Sequence, residues 1–154
     1  MQVKDIIKTK KRAGQILSVS VEDLVTKAVD IMVTNDTGSV VVYDGDQFVG
    51  MVTFREVLNT LHEKGYESGS CTLCGDIIDK EHSSCATPDD SVEQLRSLMI
   101  DNHIRYLPVV QDGSLTDIVS FYDVARSLAK QINYENRLLK EYIRNWPEQE
   151  NDNE

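Results

Sequence analysis

Apolar residues recur along this chain with two spacings, one typical of helices and one typical of strands. Two sets have the three- and four-residue spacing of a helix face: Leu24, Ala28, Ile31 and Met32, and later Val92, Leu95 and Met99. Each set is followed by β-branched runs that Asp and Gly interrupt, "SVVVYDGDQFVGMV" (39–52) and "YLPVVQDGSLTDIV" (106–119), which predict two strands joined by a turn. A further helical pattern follows each pair. The chain therefore predicts helix–strand–strand–helix twice, with a short strand possible before each first helix.

Short polar motifs predict where the helices begin. "SVED" (20–23) and "TPDD" (87–90) each place a hydroxyl at the N-cap and a carboxylate at the third helical position, and Pro88 suits the first position. The last helical pattern runs on from 129 to 146, with apolar residues at intervals, and Pro147 is expected to end it.

The two halves of the pattern are copies of each other. A shift of 67 positions aligns residues 15–61 with residues 82–128 without a gap, and nine of the 47 pairs are identical. The similarity extends upstream, where "VKDII" (3–7) resembles "CGDII" (74–78). We therefore divide the chain into repeat 1 (1–70), repeat 2 (71–130), a C-terminal helical extension (131–147) and an acidic tail (148–154) that is predicted to be disordered.

Composition narrows the class of protein. The 154 residues are 40% hydrophobic and 27% charged, as in ordinary folded domains, and no apolar run reaches the ~20 residues of a membrane span. The basic N-terminus lacks the apolar stretch of a secretory signal, so we expect a cytoplasmic protein. The formal net charge of −10 argues against a nucleic-acid or anionic-membrane partner.

A hydroxyl followed three residues later by a carboxylate marks the end of the second strand in each copy: Thr53 with Glu56, and Ser120 with Asp123. One interpretation is the capping box, in which both side chains satisfy free amides at a helix start. The other is a ligand site, in which the carboxylate accepts hydrogen bonds from the cis hydroxyls of a ribose beside a phosphate-binding helix terminus. Glu favours capping, whereas the shorter Asp favours the diol, so Asp123 is the stronger candidate.

These motifs carry a family resemblance. The duplicated unit, "NHIRYLPVV" (102–110), and the strand ends "GMVTFRE" (50–56) and "DIVSFYD" (117–123) resemble a tandem pair of cystathionine-β-synthase (CBS) domains, from Val3 to about Leu128. The resemblance implies an α/β (α+β) fold in which two repeats pack by pseudo-two-fold symmetry. It also implies clefts for an adenosine-containing ligand (AMP, ADP, ATP, NAD(H) or S-adenosylmethionine), and a homodimer.

The family pattern Gly-x-x-Thr-x-Arg-Asp is incomplete in both copies. Thr53 and Arg55 match it, but Glu56 replaces Asp. Ser120 and Asp123 match in the second copy, but Asp117 and Tyr122 replace Gly and Arg.

Three further residues of the second copy enter the predicted site through the same resemblance. His103 and Arg105 are candidates for the missing positive charge, with a solvated surface pair as the alternative. Pro108 is expected near the adenine edge, or to be an ordinary edge-strand proline. The counterparts of His103 and Arg105 in the first copy are Asp36 and Gly38, so the two clefts are not equivalent.

Cysteines give an alternative function. Cys71, Cys74, His82 and Cys85 have a spacing that allows a zinc or thiol–disulfide site, but Cys74 aligns with Val3, where an apolar core residue is expected. We therefore predict a non-catalytic sensor that binds an adenine nucleotide, without a catalytic cofactor or a metal, and signals to another copy or to an unidentified regulated protein. The alternative is a thiol- or metal-responsive regulatory module with vestigial clefts.

Overall fold

The computed structural model describes residues 1–80 and 84–146. Within these residues the elements occur in the following order: α1 (Val3–Thr9), β1 (Ser18–Ser20), α2 (Val25–Thr34), β2 (Ser39–Asp44), β3 (Gln47–Thr53), α3 (Phe54–Lys64), α4 (Val92–Asp101), β4 (Tyr106–Gln111), β5 (Ser114–Ser120) and α5 (Phe121–Arg144). The predicted mixed α/β fold with two repeats and a long last helix is confirmed. The acidic tail, Pro147 and His82 lie outside the described residues.

The two repeats share fine details of backbone geometry. Antiparallel hairpins form from β2 with β3 and from β4 with β5, and their bulges lie at Val42/Tyr43 and Val109/Val110, which are equivalent positions. The chain leaves α2 and α4 through residues with positive φ, Asp36 (50°) and His103 (55°), which are also equivalent. The duplication read from the sequence is therefore a duplication of structure.

The helix that precedes the hairpin in each repeat, α2 or α4, begins later than the polar motifs predict. In the first motif Ser20 donates its amide to Asp23 Oδ2 at 2.8 Å, which closes a turn instead of a helix start. Leu24 then stays extended to pair with Leu73, so α2 begins at Val25 and Leu24 is 40% exposed. The second motif behaves alike: its turn is followed by Ser91, which caps α4 and pairs with Gln2.

The leading segment of each repeat packs into the core of the other repeat. Val3 and Ile6 of α1 join the cluster formed by Val92, Leu95 and Met99, whereas Cys74 joins the cluster of the first repeat. Backbone hydrogen bonds fix this exchange, since Val3 donates to Asp90 O and Cys74 donates to Asp23 O. The division of the chain at residues 70 and 71 stays a prediction, but each core is completed by both halves of the chain.

Pro108 explains why the second sheet is smaller. The first sheet has the order β1-β2-β3, with β1 parallel to β2, whereas the second contains only β4 and β5. In the first repeat Val41 donates its amide to Leu17 O at 2.9 Å, but its equivalent Pro108 has no amide hydrogen. The strand possible before α4 is therefore reduced to a single bridge between Ala86 and Val109.

Candidate functional site between the two repeats

A cleft lies where the start of α3 in the first repeat meets the α4–β4 junction of the second. Its lining residues are Thr53, Phe54, Arg55, Asp79, His103, Ile104, Arg105 and Tyr106, and it holds about 270 Å³ of empty space including its open mouth. Four predicted site residues therefore line one cleft: Thr53, Arg55, His103 and Arg105.

Backbone geometry positions the arginine of the first repeat. β3 ends at Thr53, and Phe54 donates its amide to Gly38 O at 2.9 Å as α3 begins. Arg55 is then in the first turn of α3, and its Nη2 donates to His103 O at 2.6 Å. His103 has a left-handed backbone conformation, which turns the chain away from the direction of α4. The turn places the His103 carbonyl opposite α3. One hydrogen bond thus spans the cleft between the repeats.

The second arginine approaches the same helix start. The guanidinium of Arg105 lies 5.0 Å from the centre of the Phe54 ring, a cation–π distance. Next to it, the Gly38 amide donates to the Tyr106 hydroxyl at 3.1 Å. A Cβ on Gly38 would lie 2.5 Å from that hydroxyl oxygen and 2.8 Å from Phe54 Cδ1, so the repeats approach here as closely as a glycine permits.

The capping interpretation is confirmed at both strand ends. Glu56 Oε2 accepts hydrogen bonds from the Thr53 amide at 2.6 Å and from the Thr53 hydroxyl. Asp123 Oδ2 accepts from the Ser120 amide at 2.9 Å and the Ser120 hydroxyl at 2.8 Å. Within the described part of the chain, each carboxylate uses the same single oxygen for its capping bonds. Capping and sugar binding are therefore compatible, and sugar binding stays a prediction.

A lysine that the sequence did not reveal lies beside Asp123. Lys10 Nζ is 2.7 Å from Asp117 Oδ1 and 3.9 Å from Asp123 Oδ2, and it also donates to the Ile118 carbonyl. The pair is sheltered, because the side chains of Lys10 and Asp117 are 17% and 3% exposed. Asp117 also accepts from the Gly14 amide at 3.0 Å. One feature of the sequence could have indicated this ion pair: Asp117 is an acidic residue within an apolar run, at the position that corresponds to Gly50 of the first repeat.

Pro108 does not line the cleft. It lies inside β4, is buried, and its carbonyl accepts the Ala86 amide at 2.9 Å. Its position thus agrees with the edge-strand interpretation, and a contact with adenine stays a prediction.

The cysteines are not clustered as a metal site within the residues described. Cys74 is fully buried in the first core, as its alignment with Val3 predicts, while Cys71 and Cys85 are exposed. Burial, together with the negative charge of Asp23, raises the pKa of the Cys74 thiol above its ordinary value of 9.0. No group of three His, Cys, Asp or Glu side chains in residues 1–80 and 84–146 is arranged to hold a metal ion. His82 lies outside these ranges.

Comparison with known proteins decides the family. The model of the CBS domain matches residues 3–63 and again residues 75–130. The chain belongs to the CBS-domain family. The mitochondrial CBS domain-containing protein CBSX3 of Arabidopsis thaliana is 33% identical over 147 residues, which cover 92% of this chain and 71% of that protein.

Solved structures agree with the fold of a CBS pair. A protein with CBS domains from Burkholderia ambifaria superposes with a TM-score of 0.77 at 28% identity, over 83% of this chain and 93% of that one. The CBS domain pair of protein MJ0100, in complex with 5′-methylthioadenosine and S-adenosyl-L-methionine, gives a TM-score of 0.71 at 19% identity, over 85% of this chain and 98% of that one.

This chain is thus a CBS-pair regulatory module. Across the described residues, no helix combines the length and hydropathy needed to span a membrane.

Proposed function

We propose that this CBS pair is a non-catalytic sensor that binds an adenosine-containing ligand in the cleft between its repeats. The observation that carries the proposal is the convergence of Arg55, His103 and Arg105 from both repeats on one cleft. In a chain with a formal net charge of −10, such a local cluster of basic residues is suited to an anionic ligand. The complex of MJ0100 with two adenosine compounds supports the same class of ligand.

The basic residues are assigned to the phosphate, or to another polar end, of the ligand. A guanidinium offers several N–H donors in a plane, which suits two-point recognition of phosphate. The face of the Arg105 guanidinium stacks on Phe54, and its N–H donors are assigned to the ligand. The first turn of α3, next to Arg55, adds the positive end of a helix dipole.

The ribose is assigned to the carboxylates at the helix starts. Asp123, which does not line the closed cleft, caps α5 with Oδ2 and keeps Oδ1 to accept a hydrogen bond from a sugar hydroxyl when the cleft opens. Glu56 in the first repeat, with Thr53 beside it, is assigned chiefly to the cap of α3, so its contribution to sugar binding is expected to be small.

Ligand binding would signal through a change in the contact between the two repeats. Only about 20 Å³ of the cleft is accessible to a water molecule, far less than the ~300–1,000 Å³ of ordinary small-molecule sites, so a nucleotide must widen it. The hydrogen bond from Arg55 to His103 O spans the cleft and must exchange for a bond to the ligand. The ligand therefore favours an open arrangement, which a regulated protein or a second copy can distinguish from the closed one.

A thermal-shift panel tests this function. AMP, ADP, ATP, NAD(H) and S-adenosylmethionine are compared, with zinc and a chelator in parallel. A ligand at 100 times its Kd stabilises the fold by about 2.7 kcal/mol, which raises the melting temperature by several degrees.

Variants locate the response. We expect Arg55→Ala and Arg105→Ala to abolish it, and Arg126→Ala, an exposed arginine of α5 outside the cleft, to keep it. Asp123→Ala tests the sugar contact. No shift with any nucleotide, or an undiminished shift in both cleft variants, would refute the proposal. A melt that responds only to the chelator would favour the metal-responsive alternative.

A further inference from the structure

The C-terminal half of α5 carries large apolar side chains that nothing in the described chain covers. The first half of α5 packs normally, with Val124 buried and Leu128 against the second core. Beyond it, seven large side chains are between 45% and 70% exposed: Ile132, Tyr134, Leu138, Leu139, Tyr142, Ile143 and Trp146. A helix packed only against its own domain would expose polar side chains at such positions.

Six of these side chains form a stripe that continues the buried face of the helix. Ile132 and Leu139 are seven residues apart on α5, and Tyr142 follows Leu139 by three. Trp146, two residues beyond the end of the helix, extends this line with its ring 5.2 Å from that of Tyr142. Leu138 and Ile143 flank this line. The spacing is that of the seam between two packed helices.

Apart from Glu135, the charged residues lie away from the stripe. Lys130, Arg137 and Arg144, also seven residues apart, follow the opposite side of the helix. The positions that flank the seam are uncharged: Ala129, Gln131, Asn136, Leu138, Ile143 and Asn145. Two copies of this surface can therefore meet without placing like charges against each other at its margins.

We propose that the stripe pairs with the same stripe of a second copy, so that α5 forms an antiparallel two-helix contact beyond the body of the CBS pair. The exposed side chains amount to on the order of 600 Å² of apolar surface, as large as the biggest patches that monomers expose. Two such patches together bury about 1,200 Å², which reaches the size of a specific interface. This inference does not depend on the proposed ligand.

Glu135 determines the direction of the pairing. It is the one charged residue on the seam from 132 to 146, where Gln131 donates to it at 3.0 Å. A parallel pair in register would place Glu135 directly opposite its own copy, which like-charge repulsion disfavours. An antiparallel pair centred at Arg137 places Glu135 opposite Leu139 and Ile132 opposite Tyr142.

Sedimentation velocity on the full chain tests the contact. Tyr142→Lys and Tyr134→Lys form a matched pair, because the two tyrosines are 61% and 54% exposed on the same helix but only Tyr142 lies on the stripe. We expect wild type and Tyr134→Lys to be dimers and Tyr142→Lys to dissociate with a Kd at least ten-fold higher. Circular dichroism confirms that both variants remain folded. A monomeric wild type, a dimer that persists in Tyr142→Lys, or equal loss in both variants would overturn the proposal.

Distances between spin labels test the direction. Single cysteines replace Lys130, Arg137 or Arg144 on the outer side of α5, in a background with Cys71→Ser and Cys85→Ser, while the buried Cys74 is retained. In an antiparallel pair centred at Arg137, the shortest distance belongs to residue 137, and about 21 Å of axial separation is added at 130 and at 144. Equal distances at all three positions would indicate a parallel pair and contradict the proposal.

Discussion

The buried pair of Lys10 and Asp117 fastens the loop after α1 to the end of β5. Lys10→Met keeps the aliphatic length of the side chain and removes its charge. The Asp117 carboxylate, 3% exposed at its side chain, then loses the cation 2.7 Å away. Removal of one partner of a buried ion pair costs about 3–5 kcal/mol. Since Asp117 still accepts from the Gly14 and Ile118 amides, we expect a loss near the lower end, about 3 kcal/mol.

Urea unfolding at neutral pH, followed by circular dichroism, measures this loss. For a domain of this size the loss corresponds to a decrease of about 6–12 °C in melting temperature. Lys4→Met is the matched control, because the Lys4–Asp89 pair has a similar distance of 2.9 Å but side chains that are 43% and 77% exposed. The control should unfold close to wild type.

A second substitution tests the cause of the loss. Lys10→Met with Asp117→Asn should recover part of the stability, since the uncompensated charge is gone. Equal midpoints for Lys10→Met and Lys4→Met, or no recovery in the double variant, would refute the reasoning.

Three further substitutions test the packing and the capping. Gly38→Ala should lower the free energy of unfolding by about 1–3 kcal/mol in urea unfolding, because its Cβ would contact the Tyr106 hydroxyl at 2.5 Å, and Tyr106→Phe in the same chain should restore part of it. Glu56→Ala should cost about 1 kcal/mol of stability, measured in the same way, with little change of ligand affinity in calorimetry, because Glu56 caps α3. Burial raises the pKa of Cys74, so the native state retains the proton longer than the unfolded state does. The free energy of unfolding should therefore fall as the pH rises from about 9.0 towards the raised pKa, and Cys74→Ala should flatten this slope in pH-dependent unfolding.

Each of these expectations has a contrary result. Unchanged stability in Gly38→Ala would mean that the repeats do not meet closely at Tyr106. A large loss of affinity with an unchanged melt in Glu56→Ala would make Glu56 a ligand contact instead of a cap. An identical pH slope in Cys74→Ala would show that the thiol does not titrate differently on unfolding.

Local patterns predicted the elements well, because helix faces and strands depend on neighbouring residues. The same reasoning placed two helix starts too early. Asp23 and Asp90 do accept amides three residues back, as caps do, but Leu24 and Ser91 then form isolated bridges with distant residues before the helices begin. Those partners, Leu73 and Gln2, are far away in sequence, so no local signal contains them.

Site residues that belong to a local motif could be predicted from the sequence, whereas a residue that long-range packing brings to the site could not. Arg55 and Arg105 were recognisable from the strand-end and junction motifs, and they do line one cleft. Lys10 could not be assigned, because its role depends on a loop that folds back onto Asp117, 107 positions later. The packing of each repeat's leading segment into the other core could not be predicted for the same reason, because it depends on contacts between residues far apart in sequence.

Chemical-shift mapping in a titration with the nucleotide that gives the largest thermal shift tests the central claim most directly. If the ligand binds between the repeats, the amides of residues 53–56 and 103–106 should show the largest changes, in both halves of the chain at once. Changes concentrated in a different depression of the surface, which Ser18, Asp23, Lys27 and Tyr43 help to line, would contradict the account, as would a spectrum that does not change at all.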